Sequence, residues 1–154
     1  KIRIPVSILS QAGQLLDAEH EVIKIHPQIS FEILKNIPFP WPVAQIVFQH
    51  HERLDGSGYP LGLRADEILL ETKILAVADV TEAKSSFRPY RPALGIESAL
   101  DEIRQHRGIL YDPVVVDACL ELFAGDLFTF DYKTDSPGPI LCVASPKMVP
   151  PISQ

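Results

Sequence analysis

Two adjacent histidines, His50 and His51, end the apolar run PVAQIVFQHH, and the polar, glycine-rich stretch ERLDGSGYP follows at once. Imidazole is the commonest protein ligand for a transition metal, and it binds through a ring nitrogen free of a proton. On a helix neighbouring residues point about 100° apart, so such a pair serves two ions side by side more readily than it chelates one. The same pair also suits a plain helix end, with exposed imidazoles ahead of an ordinary loop. His26, directly before Pro27, and Asp79, inside the run ILAVADV, complete a set of four inward ligand candidates from separate stretches. An unpaired carboxylate in that apolar run would be costly to desolvate, and a metal cation would offset the cost. An ion pair or a cap bond in the core would do the same for Asp79, and His26 also reads as a satisfied core histidine. His20 and His106 read as solvated surface. Arg88 and Arg91 bracket Tyr90 in RPYR, where guanidinium forks and an aromatic face can hold phosphate and base. A surface turn with arginines paired to acidic neighbours is the alternative.

The elements that must position these groups are helical. Pro5 suits the first turn of a short helix ended by Gly13. Asp17 is an N-cap for the next, with Glu19 and Glu21 near its positive end. Pro27 breaks or kinks that pattern just after His26, which would aim the ring inward. Ile37 to Pro42 (IPFPWP) is a stiff connector, and Val43 to His51 is a helix. Glu52 to Arg64 is a loop with turn signals at Asp55-Gly56 and Ser57-Gly58. Asp66 then caps a long helix, Glu67 to Ser85, whose dense apolar positions predict a central buried element. Ile96 to His106 is amphipathic and stops at Gly108, and Asp112-Pro113 starts a last helix to about Phe123. From residue 125 the helical period is lost. LFTFDY alternates like a short strand, and the proline-rich remainder reads as tail or linker. There is no internal repeat.

The 154 residues fit one domain. A net charge of −6 gives no basic field to draw nucleic acid or anionic lipid, so an anionic substrate needs local cations or metal. Two distant cysteines form no ligand spacing and suit a reducing cytoplasm. Cys119, in VVVDACLELF, reads as core. No apolar run approaches the roughly 20 residues of a spanning helix, and no signal peptide is visible. The chain opens without methionine, inside a motif, and reads as a fragment.

The string HHERLDGSGYP resembles the signature of the HD-GYP domain, a branch of the HD metal-dependent phosphohydrolases. The resemblance extends from Lys1-Ile2-Arg3-Ile4-Pro5 through His26-Pro27, Ala78-Asp79 and Arg88-Pro89-Tyr90-Arg91 to Leu110-Tyr111-Asp112-Pro113. It implies an all-α, HD-type helical bundle over residues 1–124; the irregular, partly extended tail over 125–154 lies beyond the resemblance. It assigns His26, His50, His51 and Asp79 to two or three divalent ions, iron or manganese. Lys1 falls near the substrate phosphate, and Arg88, Tyr90 and Arg91 on the cyclic dinucleotide. The implied activity is hydrolysis of cyclic di-GMP to pGpG or GMP by a metal-activated water, in a cytoplasmic signalling protein. Diguanylate cyclase (GGDEF) domains are implied partners at the Gly58-Tyr59-Pro60 loop, and the protein could oligomerise.

The same resemblance expects a His-Asp pair just upstream of Lys1, so the fragment alone is expected to be inactive. The family pattern D-x-x-D-A-L-T-S-D-R-P-Y-R reads here DVTEAKSSFRPYR, with Glu82, Lys84 and Phe87 departing, and Ser30 replaces a family glycine. None of these is an expected ligand, but they bear on second-layer orientation and substrate fit. Two rivals stand beside the phosphodiesterase. One is a degenerate domain that senses the nucleotide or binds a partner, and the other is a phosphohydrolase for another nucleotide.

Overall fold

In a computed structural model, residues 3–10, 13, 15–86, 95–125, 128–131 and 143–146 are described. Lys1, Arg88, Tyr90 and Arg91 lie outside them. Helices α1 (Val6–Leu9), α2 (Asp17–Lys24), α3 (His26–Leu34), α4 (Val43–Gln49), α5 (Leu70–Ser85), α6 (Ile96–Gln105) and α7 (Pro113–Ala124) follow in order, with a 3-10 turn at Ala65–Glu67. The chain divides into two units, Lys1–Val116 and Asp117–Gln154. In the first unit α3 packs on α4, α4 on α5 and α5 on α6, which is the expected all-α bundle.

The helix starts follow local chemistry, with some shifts from the sequence expectation. The cap of α2 is Leu16, one residue before Asp17, because the Leu16 N–H donates to the Glu19 carboxylate at 2.7 Å. Helix α1 stops at Leu9, ahead of Gly13, where the Ser10 hydroxyl donates back to the Val6 carbonyl. Asp66 belongs to the 3-10 turn, held by the Arg64 N–H donating to Glu67, and α5 begins only at Leu70. Asp112 does cap α7: its Oδ1 accepts the Val114 N–H at 3.0 Å.

Helix α5 is not buried all round. Its buried face is the short-chained series Thr72, Ala76, Val77, Thr81 and Ser85, while Leu70 and Ile74 are exposed. Small side chains let α6 approach with Ala99, Leu100 and Ile103, which are almost fully buried. The Thr81 and Ser85 hydroxyls satisfy themselves on carbonyls four residues back, both at 2.8 Å. Lys84 neither faces open solvent nor stands free: it pairs with Glu102 of α6. His106, expected at the surface, is partly buried: its Nδ1–H donates to the Glu102 main-chain carbonyl at 3.0 Å and Nδ1 lies 3.1 Å from the Glu102 carboxylate.

In the second unit β1 (Phe128–Asp131) pairs antiparallel with β2 (Val143–Pro146), Phe128 opposite Pro146. The strand in LFTFDY is as the alternation predicts. The second strand lies in what reads as tail, because Val143-Ala-Ser carries no strong periodic signal.

Candidate metal centre

Three imidazoles from two helix boundaries meet at one place. The α2–α3 boundary at Ile25 supplies the first. An uninterrupted helix would give the Ile23 carbonyl to the N–H of residue 27, but residue 27 is proline and has none. The His26 Nδ1–H donates to that carbonyl instead, at 2.8 Å, and the ring is buried. The second boundary is the end of α4. The Val47 carbonyl is one of the last four, which a helix cannot satisfy internally. It accepts the His50 Nδ1–H at 2.6 Å.

These two bonds fix the tautomers. A carbonyl only accepts, so each Nδ1 carries the proton and each Nε2 presents a lone pair. His26 Nε2 lies 3.2 Å from His50 Nε2 and 3.2 Å from His51 Nε2. All three ligand atoms fall within 4.8 Å of one another. Donors about 2.1 Å from a common ion, at right to tetrahedral angles, stand roughly 3.0–3.4 Å apart. The donor set, and the spacing of the two pairs that include His26, therefore fit a transition-metal ion. His50 and His51 converge with His26 where a helical separation predicts divergence, because α4 ends at Gln49 and both rings lie in the turn beyond.

Asp79 stands differently from its expectation. Its carboxylate is 37% exposed, so the desolvation argument does not apply, and it lies outside the three-histidine group. It faces the other side of His51, 4.0 Å from Nδ1.

Two further residues build the site: Tyr59, which sequence reasoning placed in the Gly58-Tyr59-Pro60 partner loop, and Glu52, to which it gave no role. Tyr59 stacks on the His51 ring, centroids 4.7 Å apart at 28°, with the Lys24 ammonium 5.9 Å from its own centroid. Burial pushes its phenol up to about 12, so it stays neutral in the physiological range. Glu52, 2% exposed, accepts the Leu61 N–H at 2.7 Å and the Leu63 N–H at 2.9 Å. The signal available for Glu52 was an acidic residue between the histidines and a loop whose glycines make it turn back on itself. Arg53 next to it lies 5.2 Å over the buried Tyr111 ring, and the Leu54 N–H donates to the Leu110 carbonyl, which docks the loop on the α6–α7 turn.

A family profile described as HD domain matches residues 1–115. The chain belongs to the HD domain family. Within it, the HHERLDGSGYP string marks the HD-GYP branch. The HD domain chain is 47% identical over 122 residues to the cyclic di-GMP phosphodiesterase response regulator RpfG of Xanthomonas campestris, covering 78% of this chain and 32% of the relative. It is 46% identical over 124 residues to a cyclic di-GMP phosphodiesterase of Thermotoga maritima, covering 79% and 34%. With the 3'3'-cGAMP-specific phosphodiesterase 3 of Vibrio cholerae it shares 38% over 114 residues, covering 73% and 25%. This HD domain chain thus spans about a third or less of these relatives' length. Among solved structures, the HDG"Y"P protein Bd1817 of Bdellovibrio bacteriovorus aligns with a TM-score of 0.63 at 16% identity, over 80% of this chain and 39% of that one. A V. cholerae cyclic GMP-AMP specific phosphodiesterase aligns at 0.56 and 23%, over 71% and 25%. At such identities the likeness is one of fold.

Proposed function

We propose that the protein carrying this chain is a metal-dependent phosphodiesterase that hydrolyses cyclic di-GMP to pGpG or GMP. The observation that carries the reading is the convergence of three histidine Nε2 atoms, two of them held as lone-pair donors by main-chain bonds. Divalent ions bound there would supply an activated water and neutralise charge developing on the phosphodiester. The chain's own part is to hold His26, His50 and His51 in that geometry, with Asp79 beside His51 and Tyr59 shielding one of its faces. We take the ions to number two or three and to be iron or manganese. Imidazole donors suit iron, and a carboxylate such as Asp79 suits manganese. Lys1 near the phosphate, and Arg88, Tyr90 and Arg91 on the dinucleotide, complete the reading through their motif positions.

The same reading extends to a domain over residues 1–124 with a tail over 125–154, and to signalling in the cytoplasm. The response-regulator name of the Xanthomonas relative supports a signalling role. Among the described residues no helix is long and apolar enough to cross a membrane. The Gly58-Tyr59-Pro60 loop, in which Pro60 is exposed, is the surface on which we propose that a GGDEF domain docks, and self-association is a further reading of the same protein.

The test is turnover by the whole protein, loaded with iron or manganese, on cyclic di-GMP and 3'3'-cGAMP in parallel. Cyclic di-GMP should be consumed, and the His50→Ala, His51→Ala double variant should lose roughly 100-fold or more, since outer-layer partners alone are worth about 10–100-fold. Undiminished turnover by the double variant would contradict the reading. Binding without turnover would replace the enzyme with a sensor, and preference for 3'3'-cGAMP would change the substrate.

A further inference from the structure

A carboxylate as buried as that of Glu52 must be partnered, and its partners are specific. One oxygen accepts from Leu61 and the other from Leu63, so two main-chain donors converge on one side chain. Between them and Glu52 the chain folds back until Gly58 touches its own start. A Cβ at Gly58 would lie 2.4 Å from the Glu52 Cα and 2.5 Å from the Arg53 nitrogen. Next in line, the Tyr59 N–H donates to the His51 carbonyl at 3.3 Å, and the Tyr59 ring lies against the His51 ring. His26 and His50 are oriented by Nδ1–H bonds to carbonyls; His51 has its ring face covered by Tyr59.

From this arrangement we propose that Glu52 is a positioning residue: its carboxylate clamps the Gly58–Leu63 loop so that Tyr59 lies on His51 and sets the direction of its Nε2. Two convergent N–H donors need two acceptor oxygens. Glutamine at this position offers one oxygen and one NH2, and the NH2 would face an N–H, so one of the two bonds is lost. The consequence for metal affinity rests on the metal-centre reading above; the clamp itself does not.

The experiment compares wild type, Glu52→Gln, Tyr59→Leu and Val116→Ala in the full chain. His51 and His26 ring resonances and amide exchange at Leu61 and Leu63 are read without metal, and Co(II) affinity is read separately. Glu52→Gln should speed exchange at both amides, move the His51 resonances in the direction that Tyr59→Leu moves them, and weaken Co(II) binding about tenfold. Val116→Ala, which truncates a buried side chain in α7, should lower the melting temperature without these changes. If His51 resonances stay put in Glu52→Gln, or move equally in Val116→Ala, the clamp is refuted. If wild type takes no Co(II) while Glu52→Gln still moves His51 and the loop, the clamp stands and the metal reading fails.

Discussion

Two non-helical segments between helices, Ile37 to Pro42 and Glu52 to Arg64, have opposite outcomes. The first holds three prolines and two aromatics in six residues, and the second one proline, one tyrosine and three glycines in thirteen. In the first, main-chain bonds are local, such as Phe39 N–H to the Ile37 carbonyl and Val43 N–H to the Trp41 carbonyl. Its large side chains face outward, with Trp41 70% exposed. In the second, a buried carboxylate collects distant amides, Asp55 accepts both the Ser57 N–H and hydroxyl, and Gly56 and Gly62 take positive φ. Its aromatic ring turns inward onto a histidine. A stiff proline-aromatic composition does not by itself dock a loop inward. A charged acceptor placed to gather its amides does, and that ordering brings the loop into the site.

The contrast can be broken most forcefully at Gly58. Alanine there meets backbone atoms that cannot swing away, so the loop must shift. We expect a loss of about 3 kcal/mol in denaturant unfolding, the upper end for overpacking, together with weakened metal binding. An unchanged midpoint would mean that the loop is looser than its geometry indicates. A smaller effect should appear at alkaline pH. The Tyr59 phenol is raised to about 12 in the fold against about 10 when unfolded. Between those values the unfolded chain loses its proton first, so stability that is complete below pH 10 should drain away as pH rises towards 12. Burial also raises Tyr111, which adds to the slope. Tyr59→Phe should remove its own share, measurable as a shallower fall in unfolding free energy over that interval. The smallest effect belongs to the other segment: Trp41→Ser should change stability by no more than about 0.5 kcal/mol, since its side chain is mostly in water.

Much of this was legible in the sequence, for physical reasons that differ by element. Pro27 and the Asp112-Pro113 pair are punctuation that acts locally, and the α2–α3 break and the α7 start fall within a residue or so of where they predict. His26, His50 and His51 could be named as ligand candidates because the HHERLDGSGYP string and the motifs around it resemble the HD-GYP pattern; imidazoles at helix ends alone suit a solvated surface or a core contact as well. The convergence of His50 with His51 was not legible, since it depends on α4 stopping at Gln49. Nor was the exposure of Asp79: ILAVADV looks buried by composition, yet α5 turns only its short side chains inward. Glu52 escaped notice because its partners, Leu61 and Leu63, lie nine and eleven residues away and offer only main-chain N–H groups.

The claim underlying all of this is that His26 Nε2, 3.2 Å from both other histidines, is the hub of a metal site. Its most direct test is metal content per chain, measured on the protein produced with iron or manganese supplied, beside His26→Ala made and purified identically. The account predicts bound ion in the wild type and a large drop in the variant with helical content unchanged. Equal metal in both proteins, or none in the wild type under either supply, would contradict it.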